Sequence, residues 1–246
     1  MHYSLIIPAW NEAAFIAHTI ESVQAAMQQL EKASNQHGQL IVVDNNSSDD
    51  TASIARSLGA SVVFEPVNQI ARARNRGASS ASGAVLIFLD ADTTCSATLL
   101  AHVLERAATG QVVGGGSQIA PDKVVAASGM RGIALWNWIS RTARLAAGCF
   151  VFCRRDAFED VGGFSDKVFA GEEIFLSRQL KRWGKSRRMS FEIMSIDPVV
   201  TSVRKLEWYS PTQVILQALL VLIPGALYSR RLCRLWYEDR SRNRSE

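Results

Sequence analysis

Apolar residues along this chain fall into short unbroken runs separated by stretches of helical spacing. Tyr3 to Ile7, YSLII, is a β-rich run stopped by Pro8. Beyond Asn11-Glu12 the spacing changes to threes and fours. Phe15, Ile16, Ile20, Val23, Met27 and Leu30 make one helical stripe, and Gly38 closes the segment. Leu40 to Val43 is a second buried run and ends on Asp44. Asn45-Asn46-Ser47-Ser48-Asp49-Asp50-Thr51 follows, a turn crowded with helix-capping residues before a short helix to Leu58. Ser61 to Phe64 is a third strand, and Asn68 to Ala81 is a polar, basic helix. Ala84 to Leu89 is a continuous apolar run between Gly83 and Asp90, the pattern of a strand buried on both faces.

Strand and helix therefore alternate through the first ninety residues, which predicts a mostly parallel sheet wound with helices. Ligands of such sheets bind beyond the carboxyl ends of the strands. The residues placed there are Pro8 to Glu12, Asp44 to Asp50 and Asp90 to Asp92, so three strand ends offer acidic and amide groups to one crevice. That convergence points to a nucleotide-type site. The second half is less regular. Ser96 caps a helix to about Ala108. Val112-Val113 and Gly114-Gly115-Gly116 mark a strand where a ligand or another backbone comes close. Lys123 to Leu145 reads as an irregular helix carrying Trp136 and Trp138, and Gly148 to Cys153 as a strand. Arg154 to Val161 is a short helix, and Gly171-Glu172-Glu173 opens another, stopped by Gly184.

Asp90 and Asp92 sit two apart on an extended backbone, so their carboxylates point the same way. They repel unless a cation joins them, and Mg²⁺ favours one or two carboxylates plus phosphate oxygens. A helix cap or turn is the alternative for a D-x-D alone. Composition changes little: 48% hydrophobic and 20% charged suit a globular chain with a sizeable core. The net charge of +4 does not point to nucleic acid but suits an anionic ligand or an acidic membrane surface. Cys95, Cys149, Cys153 and Cys233 lack metal-site spacing and read as buried thiols in a reducing compartment. Met1 runs straight into a strand, with no pattern of a signal peptide, so a cytoplasmic location is expected.

Six segments together resemble the family 2 glycosyltransferases of the GT-A fold. They are SLIIPAWNE (4–12), VVDNNSSDDT (42–51), ARARNRGA (71–78), FLDAD (88–92), GCFVFCRRDAFEDVGGF (148–164) and GEEIFLSRQL (171–180), in family order. The resemblance implies a GT-A, Rossmann-like sheet over residues 1–200, with a nucleotide-binding half at 1–95 and an acceptor half at 96–200. It implies an inverting, metal-dependent hexosyltransferase that takes a UDP- or GDP-sugar. Pro8, Ala9 and Glu12 would line base and ribose, and Asp44 would hydrogen-bond the base. Arg74 and Asn75, with Arg72 as a second candidate, would face the nucleotide or its phosphates. Asp92 would ligate Mg²⁺ or Mn²⁺, with Asp90 on the metal, its water or the ribose. The general base would be Glu173, with Glu172 as alternate; a Glu-Glu pair departs from the commoner Glu-Asp. Gln179-Leu-Lys-Arg182-Trp183 spells the Q-x-x-R-W of processive synthases, but it lies within the acidic pair's own helix and reads as coincidence.

The tail, 201–246, reads as helical. Arg204 and Lys205 could bring cations near a diphosphate or simply be solvated at the surface. The apolar stretch Val214 to Tyr228 is short for a bilayer span and is broken by Gln217, Pro224 and Gly225. Flanking aromatics and arginines suit a membrane interface, which would place the protein at the inner face of the cytoplasmic membrane with a lipid-linked acceptor. Packing on the domain or in a dimer is the other reading. Two other functions are weighed: a non-catalytic nucleotide-sugar-binding protein, and a nucleotidyltransferase. The latter wants a glycine-rich, lysine-bearing loop after the first strand, and Pro8-Ala-Trp-Asn-Glu12 has neither residue.

Overall fold

The computed structural model describes residues 2–204 and 225–233. Most of the tail, including Trp208, Tyr209, the apolar stretch to Pro224, Arg234, Trp236 and Tyr237, lies outside the described residues. The order of elements is β1 (Tyr3–Ala9), α1 (Ile16–Ser34), β2 (Gly38–Asp44), α2 (Thr51–Ser57), β3 (Ser61–Phe64), α3 (Ile70–Ser80), β4 (Val85–Leu89), β5 (Thr93–Thr94), α4 (Ala97–Ala108), β6 (Val112–Pro121), α5 (Ala127–Ala143), β7 (Phe150–Arg154), α6 (Arg155–Asp160), α7 (Glu172–Lys185) and β8 (Ser190–Thr201). A single 3-10 turn, Ala226–Tyr228, follows.

The eight strands form one sheet in the order β3-β2-β1-β4-β7-β6-β8-β5. β1, β2, β3 and β4 pair in parallel, as the strand–helix alternation predicts. β7 joins β4 antiparallel, and β6 pairs antiparallel with β7 and parallel with β8. The sheet is thus mixed, with its parallel half built from the first ninety residues. The two-residue strand β5 closes the far edge, antiparallel to β8.

Both faces of the sheet are covered, which is why every residue of β1 and β4 is buried. Leu5, Ile7, Val85, Ile87 and Leu89 pack with Ile16, Ile20 and Val23 of α1 and Leu99 and Leu100 of α4. The alternate residues Ile6, Leu86 and Phe88 pack on the other face with Ala71 and Ala73 of α3, Phe158 and Phe164, and Leu176 and Leu180 of α7. Phe88, Phe158 and Phe164 form an aromatic trio, with ring centroids 4.9 Å apart for Phe88–Phe164.

The glycine run of β6 admits backbone rather than ligand. A Cβ on Gly115 would stand 1.9 Å from the carbonyl oxygen of Glu192 in β8 and 2.7 Å from the ring of Phe152 in β7. The helix expected over 123–145 is shorter, Ala127–Ala143, and β8 has no counterpart in the sequence reading. Ser190–Thr201 mixes polar and apolar residues without strict alternation because its outer stretch, Ser195–Pro198, is exposed.

Candidate active site

The cleft lies where the parallel strands end. β1 stops after Ala9, whose carbonyl accepts the Asn45 amide at 2.8 Å. The chain then turns at Asn11, held at φ +53°, a conformation asparagine tolerates. Asn11 Oδ1 accepts from the Ser48 amide at 2.8 Å, and the Glu12 amide donates to Thr51 Oγ1 at 2.8 Å. The two loops that follow β1 and β2 are therefore bonded to each other. Asn45 adds a second tie: its Nδ2 donates to the Val67 carbonyl at 2.6 Å and its Oδ1 accepts from the Gln69 amide at 2.9 Å. Pro8, Ala9, Trp10, Glu12, Asn45, Asn68, Ile70, Asp90, Ala91, Asp92 and Arg204 line the resulting cavity. Asp44, buried behind it, accepts the Ser47 amide at 2.9 Å.

A buried charge cluster forms the floor. Arg74 of α3 is 1% exposed, and its guanidinium bonds Glu172 at 2.5 Å, Asp90 at 2.9 Å and the Gly148 carbonyl at 2.7 Å. Phe164 lies under it, 5.2 Å from the ring centroid. Burial alone would lower its pKa, but the carboxylates of Asp90, Glu172 and Glu173 hold it above its ordinary value, so Arg74 is a permanent cation. Glu172 is buried at the first turn of α7, where the helix dipole favours a carboxylate. Glu173 stands beside it and keeps some exposure. Burial, and then repulsion from Glu172, push its carboxyl up to about 8, against the attraction of Arg74. Gly148 leaves room at this point: a Cβ there would lie 3.6 Å from the Glu173 carboxyl carbon.

A second cluster closes the opposite wall. Arg204, which follows β8, bonds both oxygens of Glu12, one of them at 2.8 Å, and approaches Asp92 at 3.1 Å. Its guanidinium covers the Phe15 ring at 4.4 Å from the centroid. The segment after residue 200 thus begins inside the site.

The structure brings together Pro8, Ala9, Glu12, Asp90 and Asp92 around the cavity, with Glu172 and Glu173 joined to Asp90 through Arg74. Three residues expected at the nucleotide turn elsewhere. Arg74 points into the protein, because only an interior cation balances its three carboxylates. Asn75 donates to the Phe164 carbonyl at 2.8 Å and accepts its amide at 2.9 Å. Arg72 pairs with Glu65 at 3.2 Å. Trp10 and Asn45 lie in the two strand-end stretches expected at the crevice, without a role assigned to either; Asn68 and Ile70 are not singled out by the sequence. All four cysteines are free thiols, and burial raises Cys95 to about 12. Trp183 of the Q-x-x-R-W donates to Asp160 at 2.8 Å.

No group of three or more histidine, cysteine and acidic side chains that could hold a metal stands together among the described residues. Asp90 and Asp92 remain as a pair of hard oxygen donors at the mouth of the cleft. That set fits a divalent cation whose other ligands are diphosphate and water oxygens. No helix among the described residues is long and apolar enough to cross a membrane.

Comparison with known proteins agrees with this architecture. Glycosyltransferase AglE of Haloferax volcanii is 28% identical over 207 residues, covering 79% of this chain and 66% of AglE. The mannosyltransferase PcManGT of Pyrobaculum calidifontis, solved with GDP-Man and Mn²⁺, superposes with a TM-score of 0.68 at 18% identity, covering 94% of this chain and 64% of PcManGT. Glucosyl-3-phosphoglycerate synthase of Mycobacterium tuberculosis, solved with Mn²⁺, UDP and glucosyl-3-phosphoglycerate, superposes with a TM-score of 0.61 at 20% identity over 95% of this chain and 77% of that one. The chain thus spans about two thirds of the length of AglE and of PcManGT. The sheet and its helices are those of a GT-A glycosyltransferase. The family model described as Glycosyl transferase family 2 matches residues 4–162, well over half of the sequence, and the chain belongs to that family.

Proposed function

We propose that this protein moves a hexose from a UDP- or GDP-sugar to an acceptor hydroxyl, with inversion at the anomeric carbon. The observation that carries the reading is the meeting of Glu172-Glu173 with Asp90 on one buried arginine. Glu172 and Asp90, 98 and 16 positions from Arg74 in sequence, both bond its guanidinium. A sugar seated there would have a carboxylate pair at its acceptor face and Asp90-Asp92 at its diphosphate face. Pro8, Ala9, Glu12 and Asp44 are assigned to the base and ribose.

Glu173 is the base. Its ionised carboxylate takes the proton of the acceptor hydroxyl as that oxygen bonds the anomeric carbon. The bond from that carbon to the diphosphate oxygen breaks in the same displacement, and its electron pair leaves with the nucleoside diphosphate. One displacement inverts the centre. A carboxyl raised to about 8 is a stronger base than an ordinary glutamate, so it is matched to an alcohol proton. Glu172 and Arg74 position it: the salt bridge fixes the start of α7. Mg²⁺ or Mn²⁺ held by Asp92 and Asp90 would supply Lewis-acid stabilisation of the leaving diphosphate. Mn²⁺ in the PcManGT and glucosyl-3-phosphoglycerate synthase complexes supports that choice of ion.

The test is release of nucleoside diphosphate from a panel of UDP- and GDP-hexoses with Mn²⁺, with and without alcohol acceptors. Turnover of one donor that falls by about 10²–10⁴ in Glu173→Gln is expected. Undiminished turnover in that variant removes Glu173 from the role.

A further inference from the structure

We propose that α5 docks this protein onto the surface of an anionic lipid bilayer. α5 connects β6 to β7 and is the least buried α-helix among the described residues; of its own residues only Ser140 is buried. Its inner side is fixed by Asn137, which bonds the Ile119 amide at 3.0 Å and the Ile119 carbonyl at 2.9 Å. Its outer side carries large apolar side chains in the open. Met130 is 47% exposed, Leu135 57% and Trp138 63%, and Val124 just before the helix is 99% exposed. Leu135 and Trp138 are three apart, and Arg131 and Arg141 extend the same stripe at helical spacing.

Charge decides what this face can meet. From Lys123 to Arg144 the sequence has four cations and no carboxylate. Arg131, Arg141 and Arg144 are exposed and make no ion pair among the described residues. Lys181 of α7 caps the end of the helix through the Ala143 carbonyl at 2.8 Å. Burial and the charges of Arg178 and Arg144 hold its pKa below the usual lysine range, a sign that positive charge accumulates here. A helix with arginines beside tryptophan, leucine and methionine on one exposed stripe suits the headgroup boundary, where the rings enter the acyl edge and the cations meet phosphate.

The position has a consequence for the site. The helix ends at Ala143, and the chain continues through Leu145 into Ala146, whose amide donates to Ser177 Oγ at 3.2 Å; the Ser177 hydroxyl in turn donates to the Glu173 carbonyl at 2.7 Å. A bilayer under α5 would therefore lie on the acceptor side of Glu173 and offer a hydroxyl carried by a lipid. This last step rests on the sugar-transfer reading; the docking does not.

The experiment is flotation of the full chain with vesicles of phosphatidylcholine alone and of phosphatidylcholine with phosphatidylglycerol, without donor or acceptor. Two double variants of α5, L135E/W138E and R131E/R141E, and one of the tail, L219E/L220E, are compared, each checked by thermal melting. Binding is expected only to the anionic vesicles, and each α5 variant should weaken it by at least about tenfold with an unchanged melt. Failure of the parent protein to float with anionic vesicles overturns the proposal. So does parent-like binding of both variants, or binding lost only in L219E/L220E, which would put the contact in the tail. Turnover on a water-soluble acceptor, measured alongside, separates failure of docking from failure of the sugar-transfer reading.

Discussion

Replacing Arg74 by methionine removes an interior cation that touches both Asp90 and Glu172 and leaves Asp90, Glu172 and Glu173 facing one another. The guanidinium is 1% exposed and makes contacts of 2.5 Å to Glu172 and 2.9 Å to Asp90. At an effective dielectric of about 20, a pair with charge centres about 4 Å apart is worth about 4 kcal/mol before desolvation. Desolvation offsets much of that, but breaking a buried pair strands its partner, which costs about 3–5 kcal/mol. For a chain of this size, about 4 kcal/mol lowers the melting temperature by about 8–16 °C. The assay is circular dichroism melting at pH 5 and pH 8. Stranded carboxylates can accept protons at the lower pH, so the loss should be larger at pH 8. R74M/E172Q, which removes one of the stranded charges as well, should recover part of the drop. A melting temperature within about 3 °C of the parent in R74M at pH 8 would refute the reasoning and return Arg74 to a ligand-facing role.

Other consequences follow from the same geometry. With Glu173 as the proposed base, active when ionised, kcat/KM should rise with pH through about 8, and that limb should vanish in Glu173→Gln; a flat profile from pH 6 to 9 would contradict it. The same raised carboxyl contributes stability below its ordinary value near 4.5 that is lost as pH rises through about 8. Arg204 competes with a cation at Asp92, 3.1 Å away, so Arg204→Met should tighten Mn²⁺ binding in the absence of nucleotide by about fivefold, read by titration calorimetry. Unchanged or weaker Mn²⁺ affinity would count against the competition. A Cβ on Gly115 would strike the Glu192 carbonyl at 1.9 Å, whereas one on Gly132 in α5 meets nothing within 4 Å. Gly115→Ala should therefore cost about 1–3 kcal/mol or more, and Gly132→Ala should gain about 0.5–1 kcal/mol, both read from urea midpoints.

The parallel half was readable because burial on both faces writes itself as uninterrupted runs, as in β1 and β4, and because Ser, Asn and Asp clusters mark the turns that follow. The cleft was readable for the same reason: Pro8, Glu12, Asp90 and Asp92 are fixed by where strands stop. Arg74 does stand at the site, but its guanidinium bonds carboxylates. Local sequence cannot tell an arginine that binds phosphate from one that binds carboxylates, since the deciding residues are Glu172, 98 positions away, and Asp90. Asn75 is similar: its partner, Phe164, is 89 positions distant. β8 was invisible because its pairing with β6 is long-range and half its face is wet. The basic, apolar outer stripe of α5 was written in the sequence, yet only its exposure in the fold gives it meaning.

The central claim is that the cleft between Asp92 and Glu12 receives a nucleoside diphosphate with a divalent cation. Titration calorimetry of the full chain with UDP and with GDP, with and without Mn²⁺, and again with Asp92→Ala, tests it most directly. One of the two nucleotides should bind with Mn²⁺, bind much more weakly without it, and lose its metal dependence in the variant. Folded protein that binds neither nucleotide under any of these conditions would contradict the account and leave only the fold.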